Sequence, residues 1–210
     1  MRYIYLHGFA SGATSIKATF FQSKLLEHNI KLEIIDWNSD DFTTLCINNE
    51  INVILPQIQN DDITVIASSM GAIIALNLAC RLANVKKIIL LAPALQINSL
   101  WQHILGEDNF TLWQTQGYLP IYHGAKKETI NLNYQFVRDL RQLEDKNFSL
   151  PHTKIIIFHG VNDETIPYHV SQEFNHSLPN TQLHLLESNH SLEDSLNYIW
   201  LLSKQFLDLN

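Results

Sequence analysis

Six short apolar runs punctuate the chain: "YIYL" from Tyr3, "KLEIID" from Lys31, "ITVIA" from Ile63, "KIILLA" from Lys87, "KIIIF" from Lys154 and "QLHLL" from Gln182. They are rich in β-branched residues and more continuous than alternating. A strand with one wet face alternates apolar and polar positions, whereas a strand covered on both faces does not, so these runs predict a parallel sheet enclosed by helices. Between most of them the apolar spacing turns helical, as over Lys17–His28, Met70–Leu82, Pro167–Leu178 and Ser191–Leu207. Pro167, with its fixed φ, suits a first helical turn. The alternation of strand and helix predicts a single doubly wound, mostly parallel α/β domain over residues 1–210.

One connection breaks the rhythm. After "LLAPAL" the chain runs from about Ile97 to His152 before the next strand, far beyond an ordinary loop. This segment carries Trp101, Trp113, Tyr118 and Tyr122, and the amphipathic run "LNYQFVRDLRQL". Such content suits a small helical cap laid over a site, its aromatics lining a substrate pocket; it also suits an extra helix pair on the sheet's flank.

Composition narrows the class of protein. With 210 residues, 46% of them hydrophobic, there is enough apolar surface for one sizeable core. The formal charge of -7, with no basic cluster to neutralise consecutive phosphates, argues against nucleic acid as a partner. The two cysteines, Cys46 and Cys80, are read as reduced core thiols. The first residues, "MRYIYLHGFASG", lack the apolar core of a signal peptide, and no run approaches the roughly 18 apolar residues of a membrane span, so a soluble, cytoplasmic protein is expected.

The stretch "VIASSMGAII", from Val65 to Ile74, joins a strand end to a helix start with almost no room for a turn. So sharp a transition strains the residue at its apex, holds its side chain clear of the sheet, and brings the two backbones together two positions to either side. Centred on Ser69, those positions are Ala67 and Gly71, both small; centred on Ser68, they are Ile66 and Met70, both large. The pattern is G-x-S-x-G with Ala in the first place, and Ser69 is the predicted nucleophile. The same residues also suit a tight turn in which Ser69 caps the helix.

A serine hydroxyl needs a base to take its proton and an acid to orient that base. In an elbow of this kind the acid and then the histidine follow the serine along the chain. After "KIIIF" comes "HGVNDETIP", offering Asp163 and Glu164; Asp163 is preferred at the loop apex, and Glu164 reads as a helix-start charge. After "QLHLLE" comes "SNHSLED", offering His190. His184 falls within a strand and His159 at a strand's end, while His28, His103, His123, His152, His169 and His176 read as surface or flap residues. The developing oxyanion needs backbone donors: Met70, which follows the serine, and Phe9, which follows Gly8 in "LHGFASG", are the candidates, although "HG" also reads as a plain strand-ending turn.

Taken together, "YLHGFASGATSIKA", "IASSMGA" and "HGVNDETIP" resemble the α/β-hydrolase superfamily, in particular the small YqiA/YcfP-type esterases. The resemblance runs from Tyr3 to about Tyr198 and is weakest in the insertion. It implies that the strands bearing Gly8 and Ser69 are neighbours, and it carries the family's serine, acid, histidine and oxyanion positions onto Ser69, Asp163, His190 and the Phe9 and Met70 N–H groups. No motif calls for a metal or an organic cofactor. The expected activity is that of a serine hydrolase cleaving a carboxylic ester or thioester of a small acyl substrate, of short to medium apolar chain, through an acyl-enzyme. A peptidase or amidase with the same triad, or a non-catalytic ligand-binding domain on the same fold, are the rival readings; a flavodoxin-like nucleotide-binding domain ranks last, because no Gly-rich phosphate loop follows the first strand.

Overall fold

In the computed structural model, which describes residues 1–38, 41–144 and 148–209, each predicted apolar run forms a strand. The chain begins with β1 (Arg2–Leu6), α1 (Ile16–Leu26), β2 (Leu32–Ile35), α2 (Ile47–Ile58), β3 (Ile63–Ser68), α3 (Gly71–Arg81) and β4 (Val85–Leu91). The long connection then supplies α4 (Ile97–Leu105), α5 (Glu107–Gln116), β5 (Tyr118–His123), β6 (Glu128–Asn133) and α6 (Gln135–Glu144). It closes with β7 (Lys154–Gly160), α7 (His169–Ser177), β8 (Thr181–Leu186) and α8 (Leu196–Phe206).

The main sheet has the order β2-β1-β3-β4-β7-β8, and every pairing in it is parallel. Its side chains sort by the period of two. Ile4, Leu6, Val65, Ala67, Ile88, Leu90, Ile155 and Ile157 enter the larger core with α2, α3 and the insertion. Tyr3, Tyr5, Ile66, Ile89, Leu91, Ile156 and Phe158 enter a smaller one with Phe21 and Leu25 of α1 and Ile199 and Trp200 of α8. Burial on both faces explains why the strands read as continuous apolar runs. Because the strands are parallel, the loops after β1, β3, β7 and β8 all open at one edge. The chain leaves β1 to one side for β2 and returns on the other for β3, which makes that edge a topological switch point.

Several details depart from the sequence reading. A helix not expected from the sequence, α2, carries Ile47, Ile51, Ile54 and Ile58 as its buried stripe. The insertion is not purely helical: β5 and β6 pair antiparallel as a hairpin. Both cysteines are thiols, as read, but neither belongs to the core: Cys46 is half-buried and Cys80 exposed. The buried run of α3 extends from Gly71 only to Ala79, one residue short of Cys80. Among the described residues no helix is long and apolar enough to cross a membrane.

Candidate active site

Ser69 has φ of +50°, a left-handed conformation that L-residues other than Gly adopt at a cost of roughly 1–2 kcal/mol. The surroundings hold it there. Its N–H donates to the Leu91 carbonyl at 2.9 Å, and its own carbonyl accepts from Ala94 N at 3.1 Å and Ala72 N at 3.1 Å. Gly71 lets α3 start against β1: a β-carbon there would lie 2.4 Å from the Leu6 carbonyl oxygen. Ala67, fully buried, pairs with Leu6 on one side and Leu90 on the other. The β1 loop reaches the same point, for a β-carbon on Gly8 would sit 3.4 Å from Ser69 Cβ. Phe9 lines the cleft beside Ser69, and Met70 is buried immediately before α3 begins.

His190 Nε2 lies 3.1 Å from Ser69 Oγ, and His190 Nδ1 lies 2.7 Å from Asp163 Oδ2. A carboxylate can only accept, so Nδ1 carries the proton and Nε2 is left to accept from the serine hydroxyl. The Asp163 side chain is fully buried. Burial raises the pKa of its carboxyl, but hydrogen bonds from His159 and His190, the charge of His190 and the Ile166 N–H outweigh that and hold it well below the usual carboxylate range. Its other oxygen, Oδ1, accepts from Thr165 N at 2.9 Å and Ile166 N at 2.8 Å. Glu164, next in sequence, is exposed and faces the mouth of the cleft. Gly160 sets the spacing of these loops, because a β-carbon on it would meet the Ser188 carbonyl oxygen at 2.2 Å. The acid loop and the histidine loop therefore pack backbone to backbone.

The cleft beside Ser69 has a volume of about 430 Å³. Ser11, Lys17, Asn189 and Ser191 bring polar groups to walls that also include Phe9 and Ile16. None of Trp101, Trp113, Tyr118 and Tyr122 lines it, contrary to expectation. The two indoles build the core of the insertion instead: their centroids stand 5.5 Å apart edge to face, and Trp113 Nε1 donates to the Leu132 carbonyl at 2.8 Å. Tyr118 and Tyr122 fall on the outer face of the hairpin, 44% and 63% exposed. Other residues bring the insertion to the site. Phe136 of α6 packs on Phe9 with centroids 5.1 Å apart, and Gly124 N at the hairpin turn donates to the Ala10 carbonyl at 2.8 Å.

Two further residues escaped the sequence reading. His159, a strand-end histidine by sequence, is fully buried with Nε2 at 2.9 Å from the Ile166 carbonyl and 3.2 Å from Asp163 Oδ2. Since Nε2 faces two acceptors it carries the proton, and Nδ1 accepts from the Ser171 hydroxyl at 2.7 Å. Its place four residues before the acid was the available signal. Lys17 belongs to the "SIKA" stretch that opens α1, and its Nζ donates to the His190 carbonyl at 3.4 Å. Among the described residues no cluster of three or more His, Cys, Asp or Glu side chains could hold a metal ion.

A parallel sheet with a strained serine turn at its switch point, flanked by a first-strand glycine loop, defines the α/β-hydrolase fold. The chain belongs to the uncharacterised protein family UPF0227, whose sequence profile matches residues 2–207. By sequence, none of the curated proteins matches it. By structure it is similar to the esterase Est1E of Butyrivibrio proteoclasticus with ferulic acid bound, at a TM-score of 0.81 and 20% identity over 98% of this chain and 87% of that one. Alpha/beta hydrolase domain-containing protein 10 from mouse superposes at 0.78 with 16% identity, over 98% and 89% of the two chains. A soluble variant of monoglyceride lipase from Saccharomyces cerevisiae, in complex with a substrate analog, superposes at 0.76 with 16% identity, over 99% and 87%.

Proposed function

We propose that the protein is a serine hydrolase that cleaves a carboxylic ester or thioester through an acyl-enzyme. The observation that carries this reading is the continuous chain of hydrogen bonds from Ser69 Oγ through His190 to the buried Asp163 carboxylate. In it Ser69 attacks the acyl carbon as His190 Nε2 takes its proton; the leaving alcohol or thiol then receives that proton, and water attacks the acyl-enzyme by the same route. Asp163 keeps His190 in the required tautomer and stabilises the imidazolium. The N–H groups of Phe9 and Met70 are assigned to the oxyanion, each such donor contributing about 3–4 kcal/mol in measured cases. Esterases and lipases among the structural relatives agree with this chemistry.

A fluorophosphonate probe tests the reading, because it labels an activated serine and not an inert one. Labelling of the wild type and Ser68→Ala, with none of Ser69→Ala, is the expected result. An unlabelled wild type would mean a ligand-binding domain on the same fold.

A further inference from the structure

Lys17 is the only Lys or Arg among the described residues that line the cleft beside Ser69. Its position is unfavourable on local grounds. It stands in the first turn of α1, where the helix dipole already places positive charge. It is half-buried, and among the described residues it has no carboxylate within ion-pair distance. Of its three N–H donors, one reaches the His190 carbonyl at 3.4 Å. Burial pushes its pKa down to about 8, against the pull of Glu193 and Asp163. A residue that breaks several local preferences at once, on the wall of a candidate site, is explained by a ligand more readily than by the fold.

We propose that Lys17 binds a negatively charged group of the substrate, so that the cleft takes esters or thioesters carrying a carboxylate or phosphate in the acyl or the leaving part. The inference rests on the hydrolase reading and narrows it. Lys17 lines the same cleft as the nucleophile, with Ser11, Asn189 and Ser191 beside it, and its one hydrogen bond leaves two of the ammonium's donors without a partner among the described residues. Glu164 and Glu193 also border the cleft, but both are exposed. Charges in water are screened more strongly than a half-buried one, so the lysine dominates inside and the rim carboxylates weaken its effect.

Two matched pairs of esters test this on the full-length protein. Mono-p-nitrophenyl adipate against p-nitrophenyl hexanoate varies the charge on the acyl part, and 4-acetoxybenzoate against 4-acetoxybenzamide varies it on the leaving part. Lys17→Gln should lower the anionic-to-neutral ratio of kcat/KM by about tenfold or more in one pair, the loss expected for one charge-assisted hydrogen bond. Lys17→Arg should restore most of it. Glu193→Gln, on the exposed rim, should raise the same ratio, which gives an arm independent of how Lys17→Gln folds. Equal losses on both members of each pair would overturn the proposal and leave Lys17 as a prop for the His190 loop. Fluorophosphonate labelling run alongside separates the two readings: a labelled wild type with no charge preference sinks this inference alone, whereas an unlabelled one sinks the hydrolase reading beneath it.

Discussion

Ser69 and Trp113 are each anchored by hydrogen bonds to main-chain carbonyls, yet their surroundings differ in kind. At Ser69 the backbone is left-handed, a carboxylate is buried two loops away, and a half-buried lysine faces the cleft. At Trp113 the ring is fully buried, its N–H is bonded, and Trp101, Tyr134 and Phe136 pack around it. The sheet edge concentrates strain and charge, while the insertion spreads apolar contact. Strain kept at an edge that the rest of the fold over-determines is what a preorganised site requires. The insertion contributes differently, by pressing Phe136 and Gly124 against the loop that carries Phe9.

Substitutions in the two regions should therefore separate activity from stability. The largest effect is expected from Ser69→Ala, which should lower ester turnover by about a millionfold, as loss of the serine does in a well-studied triad. Thermal unfolding of that variant should be hardly changed. Asp163→Asn follows, with a loss of about ten-thousandfold through the wrong histidine tautomer, whereas Glu164→Gln should stay within a few-fold. If steady-state kinetics ranked the two carboxyls the other way, the acid would be misassigned.

In the insertion, Phe136→Ala should cost about 3–5 kcal/mol in denaturant unfolding, the range for removing a buried aromatic ring. Tyr122→Ala, at an exposed position, should change stability by no more than about 0.5 kcal/mol and leave chain-length preference untouched. A shift in that preference would restore the tyrosine to the substrate pocket.

Strong acid should weaken the sheet edge. The Asp163 carboxyl has a folded pKa below its unfolded value of about 3.9, so its contribution is fully present above that value and is lost as pH falls toward the folded one. Asp163→Asn should remove that part of the pH dependence in thermal melts. Lys17 has the opposite sense. Its folded pKa of about 8 lies below the ordinary lysine value, so its charge opposes folding below pH 8 and the penalty fades as pH rises above it. Facing Glu193, Asp163, Glu164 and His190, Lys17→Met should raise the melting temperature near neutrality by a small margin that shrinks in alkali.

The contrast also governs what could be read from the sequence. The small residues Ala67 and Gly71 were legible because each answers a steric demand that acts over a few residues, and the order of Ser69, Asp163 and His190 along the chain anticipated that the three side chains meet. The six strands were legible because two covered faces leave a continuous apolar run. His159 was not, since its role depends on Ser171 and the Ile166 carbonyl closing around it in space. The aromatics of the insertion misled because a large apolar ring lines a pocket or fills a core with the same composition, and in β5 the buried positions fall to Leu119 and His123, which leaves Tyr118 and Tyr122 on the outer face. Lys17 violates a preference of helix starts, but a single exposed lysine would have looked the same.

The hydrogen bond from Gly124 to the Ala10 carbonyl has a consequence for how the molecule breathes. A loop tied to a hairpin cannot open by itself: the amide of Gly124 exchanges with deuterium only when the hairpin turn lifts from the first-strand loop. Hydrogen exchange should therefore find the hairpin turn and that loop opening together, as one unit of local unfolding. An insertion remote in sequence thus holds one end of the first-strand loop in place.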